Sequence, residues 1–228
     1  MYIDSTYILV LIGALLSLIA SAFLKITFKK YQGKLSARHI PAEAVAERIL
    51  HSAGIYDVSI GRINGNLTDH YDPKNKVLRL SDSTFGSCDI ASIGVAAHEC
   101  GHAVQHATGY ALLKLRSAAV PVANIGSWVS WPLILIGLLL GAPQLAEIGV
   151  WCFFAVVLFQ LITLPVEIDA SRRAMKILRE GGFLYDEELS GARKVLTAAA
   201  MTYVAALASS ILQMLRLLLI VRGGNRRR

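Results

Sequence analysis

Four runs without a single charged residue govern what this chain can fold into: Ser5–Leu24, Ser117–Ala146, Ile148–Val166 and Val195–Leu215. Each is near or above the roughly 18 to 20 apolar residues that cross a bilayer as a helix. The composition agrees, with 17% charged residues against the roughly 25% of an ordinary soluble domain. The chain reads as an integral membrane protein, and what remains of its 228 residues can build only one modest water-facing unit. A single membrane-integrated domain is therefore expected, with segments at 5–24 (anchor), 38–116 (main water-facing part), 117–166 (transmembrane hairpin), 167–194 (second water-facing part) and 195–221 (last apolar helix).

The net charge of +7 does not point to nucleic acid. Lys25, Lys29, Lys30, Lys34, Lys114, Arg116, Arg172, Arg173 and Lys176 lie beside the apolar runs, where basic residues anchor helices and meet anionic lipid headgroups. The partners expected are the lipid bilayer and a protein substrate. Cys88, Cys100 and Cys152 show no paired spacing, so reduced thiols are expected instead of a disulfide framework. The first run follows MYID, with no positive stretch before it and no small-residue cleavage site after it, and reads as a retained anchor. The basic flank from Lys25 to Arg38 places that side in the cytoplasm and the N-terminus outside. Four crossings then conflict with the Arg-rich tail RGGNRRR at Arg222–Arg228, read as a disordered basic end: either the last run does not cross or the tail is tolerated.

After the anchor, PAEAVAERILHSAG (41–54) has Pro at a plausible first helical position and apolar residues at helical spacing. Tyr56–Ile60 and Lys76–Leu80 are rich in strand formers and flank a loop dense in Asn, Asp, Gly and Pro, predicting a sheet of two or three strands. Helical character resumes from about Cys88 to Leu115. Gly126, Pro132 and the GAP at 141–143 punctuate a kinked span and a tight turn, and EGGF (180–183) separates two further helices. The segment from Glu167 to Arg193 is expected to return near the first water-facing segment.

HECGH, His98–His102, carries the chemistry. Two imidazoles at i and i+4 project from one helical face about 6 Å apart, suited to one Zn²⁺, and Glu99 follows the first of them as a base. Zinc held there lowers the pKa of its water toward about 7 and polarises the scissile carbonyl, while Glu99 takes the proton and passes it to the departing amine. Cys100, at i+2, points away from the histidine face. His106 continues the row but lies about 12 Å of rise from His98, which makes it a packed or supporting histidine instead of a ligand. Glu167 in LPVEIDASRRA is the better third ligand. Asp169 sits about 200° away from it around a helix, so only one of the two can face the metal, and Asp169 is expected to pair with Arg172 or Arg173.

DHYDPKNKVLRLS (69–81), GVAAHECGHAVQHATGY, LRSAAVPVANIGS and VEIDASRRA together resemble the bacterial membrane family of neutral zinc metallopeptidases of the YugP type, over almost the whole chain. The resemblance implies His98, His102 and Glu167 as zinc ligands and Glu99 as catalytic base. The organisation is also distantly similar to HtpX and the CAAX prenyl proteases, gluzincins whose third ligand begins an E-x-x-x-D motif; here position 171 is Ser, and Ser171, like His106 and Asp169, is a candidate for supporting the ligands. The expected architecture is a mainly α membrane protein of about four transmembrane helices carrying a small α+β zincin-like unit.

In such enzymes an edge strand pairs with the substrate backbone, and Val77–Leu80 is a candidate for it. Tyr203 and His70 are candidates for stabilising the oxyanion. The function expected is a zinc endopeptidase of a bacterial plasma membrane, its site facing the cytoplasm, acting on peptides or membrane proteins. The alternatives are a metal carrier or sensor without turnover, disfavoured by the uncharged apolar runs, and an intramembrane protease of site-2 type.

Overall fold

The computed structural model describes residues 6–225. Its elements are α1 (Tyr7–Tyr31), α2 (Ala42–Ser52), β1 (Ser59–Ile63), β2 (His70–Asp72), β3 (Val77–Ser81), α3 (Ile90–Ala107), α4 (Ala111–Leu139), α5 (Pro143–Glu180) and α6 (Asp186–Asn225). Helices α1, α4, α5 and α6 are each long and apolar enough to cross a membrane. The chain divides into two compact units, one holding α1 to Ser21, Lys114–Pro165 and α6 from Met201, the other Ala22–Leu113 with Val166–Ala200.

In the first unit, small residues let helix backbones approach closely, the usual means of helix association where apolar burial gives no preference over lipid. A Cβ on Gly126 would lie 2.5 Å from the carbonyl oxygen of Cys152, and one on Gly137 would lie 2.5 Å from the amide nitrogen of Ala146. These contacts join α4 to α5 as the expected hairpin, closed by a turn at Gly141. Ser209 of α6 donates to the Gly13 carbonyl of α1 at 2.8 Å. Pro121 and Pro132 lie inside α4 and Pro165 inside α5. Large apolar side chains such as Leu11, Trp128, Leu139 and Trp151 face outward, as a lipid-facing surface requires. The tail expectation needs correction in part: α6 continues through Asn225, so its backbone takes in the start of RGGNRRR. Residues 226–228, like Met1–Ser5, lie outside the described residues.

The second unit is built around α3. Asp89 caps its N-terminus by accepting from the Ser92 amide at 2.7 Å, which satisfies an otherwise orphaned donor. Ala42, Val45, Ala46, Ile49 and Leu50 form the buried face of α2. They pack into one core with Leu78 and Leu80 of β3, Ile93 and Ala97 of α3, Ala174 and Leu178 of α5, and Val195 and Leu196 of α6. Each fully buried Leu or Ile contributes on the order of 1.5–3 kcal/mol, so this core fixes α3 from several sides. Ala22–Leu113 and Val166–Ala200 thus fold into one unit.

The sheet has order β1-β3-β2, with β1 parallel and β2 antiparallel to β3. Three expectations are corrected here. The first strand begins at Ser59 instead of Tyr56, because Tyr56 is exposed and stacks on His51, while Asp57 pairs with Lys76 before pairing with β3 starts. The polar loop contains a strand, β2, and β3 is central, so Val77–Leu80 has no free edge for a substrate backbone. The helical stretch expected from 88 to 115 is two helices, interrupted by Thr108–Tyr110 with Gly109 at φ 68°.

Candidate metal centre

Helices α3 and α5 each present a pair of side chains one turn apart: His98 and His102 from α3, Glu167 and Ser171 from α5. Their backbones come close at Gly101, where a Cβ would stand 2.5 Å from the Ala170 carbonyl oxygen. The glycine inside HECGH therefore sets the helix separation that brings Glu167 to the histidines. Oε2 of Glu167 lies 3.2 Å from Nε2 of His98 and 3.5 Å from Nε2 of His102. One potential ligand atom from each residue falls within a 4.8 Å set, and the two imidazoles meet edge to face at 4.8 Å between centroids.

The donor set fits a divalent cation. Glu167 is only 2% exposed; burial pushes its carboxyl up, but hydrogen bonds from His102 and His98 outweigh that and hold it below the usual carboxylate range. Two imidazole nitrogens and one such carboxylate oxygen are a donor set that suits a borderline-soft ion such as Zn²⁺. The local field points the same way. Burial pulls the His102 imidazole down, but its hydrogen bond to Glu167 and the negative charges of Glu99 and Glu167 outweigh it, and the group is raised above its ordinary value.

The far nitrogens of both rings are held. Ser171 Oγ lies 3.1 Å from Nδ1 of His98, at the position where an E-x-x-x-D motif would have its aspartate. Gln105, fully buried, accepts from Nδ1 of His102 at 2.9 Å. Its amide donates to the Val166 carbonyl at 2.9 Å and to Asp169 Oδ2 at 2.8 Å. Arg173 closes that chain, donating to Asp169 at 2.6 Å, which is one of the two pairings expected of Asp169. With Nδ1 engaged on each ring, Nε2 is left to face Glu167.

Partners that orient ligands in this way typically account for 10–100-fold in metal affinity. Ser171→Ala and Gln105→Ala are each expected to weaken zinc retention by about that much, read by competition with a chromophoric chelator. Wild-type affinity in both variants would remove the orienting role.

Glu99, 8% exposed, stands beside this cluster, its Oε2 accepting from the Tyr71 amide of β2 at 2.9 Å. The Tyr71 hydroxyl meets Nδ1 of His106 at 2.9 Å. Burial, then the charges of Asp57 and Asp72, push that phenol up, so it keeps its proton through neutral pH. β2 is thereby fastened to α3 at two points, one turn on either side of His102. His70 engages the Thr68 carbonyl through Nδ1 at 2.9 Å, with Nε2 3.4 Å from Arg79. Tyr203 belongs to α6 in the first unit. Cys100 is buried with Sγ toward the Ala46 carbonyl, and burial raises its thiol well above the ordinary range. All three cysteines are free.

Sequence reasoning passed over Tyr71, Gln105 and Gly101. Gln105 had a signal, its i+3 spacing from His102 on one helix. Tyr71 had none, since β2 is three residues in a loop-like stretch.

Four helices able to span a bilayer accompany a two-histidine, one-carboxylate cluster able to hold a metal ion. The chain belongs to the family described as "Putative neutral zinc metallopeptidase", whose model matches residues 6–222. The "Putative membrane protease YugP" of Bacillus subtilis (strain 168) is 44% identical over 220 residues, covering 96% of this chain and 98% of its own. No solved structure matches the chain.

Proposed function

We propose that this chain is a zinc-dependent endopeptidase of the bacterial plasma membrane, a single membrane-integrated domain that hydrolyses peptide bonds in loops or tails of membrane proteins at the cytoplasmic surface. The observation that carries the reading is the convergence of His98, His102 and Glu167 on one point with Glu99 beside them. In this reading Nε2 of each histidine and the Glu167 carboxylate hold the ion. When bound, zinc supplies a Lewis acid that polarises the scissile carbonyl and lowers the pKa of water toward about 7.

The remaining work falls to side chains. Glu99 anchors Oε2 on the Tyr71 amide, which leaves Oε1 to take a proton from the attacking water as the carbon–oxygen bond forms. The same oxygen returns that proton to the amide nitrogen as the carbon–nitrogen bond breaks, so the water is consumed and the carboxylate regenerated. Ser171 and Gln105 keep both imidazoles in the tautomer whose Nε2 lone pair is available. α3 packs against α2 and the sheet, elements that carry Glu43, Glu47, Arg62, Asp72 and Arg79. That polar setting suits substrate chains in water and weighs against the site-2 alternative.

Stripping the purified protein with a strong chelator is expected to abolish cleavage of an unfolded protein substrate, and stoichiometric zinc to restore it. Cleavage that survives complete removal of metal would contradict the proposal.

A further inference from the structure

Besides the metal centre, the second unit has a cavity of about 550 Å³, within the size range of ligand-binding pockets. It lies between the part of α5 after Val166 and the part of α6 before Met201. Its floor is apolar, with Ile168, Met175 and Leu196, and its rim carries Arg172, Lys176, Arg179 and Arg193. Lys176 is 3.9 Å from Glu180, whereas Arg172, Arg179 and Arg193 form no salt bridge among the described residues. With Glu180 also on the rim, four cations against one carboxylate leave the oily hollow with a net positive border.

The placement along the chain indicates what fits. The uncharged run of α5 ends at Val166 and that of α6 begins at Val195. The lining residues nearest those ends, Ile168 and Arg193, are each two residues away, about 3 Å of helix rise, where basic side chains beside apolar runs meet anionic headgroups. A ligand matching both the rim and the floor needs an anionic head, able to take bidentate guanidinium bonds, and an apolar body. Basic pockets between spanning helices bind anionic headgroups on this basis. His98, Glu99, His102 and Glu167 do not line the cavity; Ser171 does, and its hydroxyl meets the His98 nitrogen that faces away from Glu167. The occupant consequently sits behind the metal centre, not across it, which favours a ligand that is held over a peptide that is cut.

We infer that the cavity between α5 and α6 binds an anionic phospholipid, with its phosphate on Arg172, Arg179 and Arg193 and its acyl chains against Ile168, Met175 and Leu196. The test is binding alone, so it stands or falls independently of peptidase activity. Full-length protein is reconstituted in phosphatidylcholine vesicles containing a trace of spin-labelled phosphatidylglycerol, and the immobilised fraction is compared with that of labelled phosphatidylcholine. Removing two basic contacts in Arg172→Gln/Arg193→Gln is expected to lower the preference for phosphatidylglycerol by about thirtyfold. Both side chains are exposed, so the fold should survive. Ala200→Trp, which fills the cavity and leaves the charge unchanged, is expected to lower the preference as well. Lys25→Gln/Lys114→Gln, which removes equal charge beside other apolar runs, is expected to keep it within about twofold. An unchanged preference in both cavity variants, or an equal loss in the Lys25/Lys114 control, would overturn the assignment. So would displacement of the lipid by soluble glycerol phosphate at equal concentration, which would identify a free anion, or by an acidic peptide, which would make the cavity a peptide groove.

Discussion

Glu99→Gln is expected to keep its zinc and lose about 10²–10⁴-fold in turnover on an unfolded protein substrate. The amide matches the carboxylate in size, and its oxygen can still accept from the Tyr71 N–H, so the side chain stays where Glu99 stands. What it lacks is a basic oxygen to take the proton of the attacking water. His98, His102 and Glu167 are untouched, as are the Ser171 and Gln105 contacts that orient the rings. Activity and metal content should therefore separate, and a variant that lost both would show that Glu99 serves the metal site and not the proton transfer. Burst and steady-state measurements with one substrate would read the first quantity, and elemental analysis the second.

Glu167→Ala is expected to have the opposite signature, losing the metal itself. Two imidazoles on one helix turn are an incomplete set for a catalytic zinc, which takes three protein ligands. The loss should therefore exceed the roughly 10–100-fold expected of the orienting residues. Folding should survive, because Glu167 is not part of the apolar core that holds α3 and α5 together. The hole left by a few atoms is small beside the shared core of α2, α3, α5 and α6. A melting temperature close to that of the chelator-treated wild type would attribute the loss to the missing ligand. A collapse in melting temperature would instead assign Glu167 a structural role.

Much of this site was legible before any coordinates. His98, Glu99 and His102 are close in sequence, and helical period alone puts the two rings on one face. Glu167 was reachable because a carboxylate at the end of a 19-residue uncharged run is costly unless something uses it. The four spans followed from length and hydropathy, which have no competing explanation at that scale. Tertiary contacts between unlike segments were harder. Gly101 reads as a helix weakener until α5 is seen against it, and Gln105 reads as a surface amide until the Val166 carbonyl and Asp169 appear beside it. The sheet was misjudged where pairing overrides local preference. β2 lies in a stretch of turn formers and exists because β3 offers it an edge, and that same pairing makes β3 central and unavailable to a substrate. The serine at position 171 had one cue, its place in the E-x-x-x-D pattern, while its contact with the His98 ring is visible only in the packing of α5 on α3.

In the proposed function three side chains from two helices hold one ion and a fourth does the proton transfer. Its most direct test is the zinc content of wild type, Glu167→Ala and Glu99→Gln, purified side by side from the same membranes. Stoichiometric metal in the first and third with little in the second is the expected result. Equal zinc in wild type and Glu167→Ala would contradict the account, because it would leave the ion bound without the residue that α5 delivers to it.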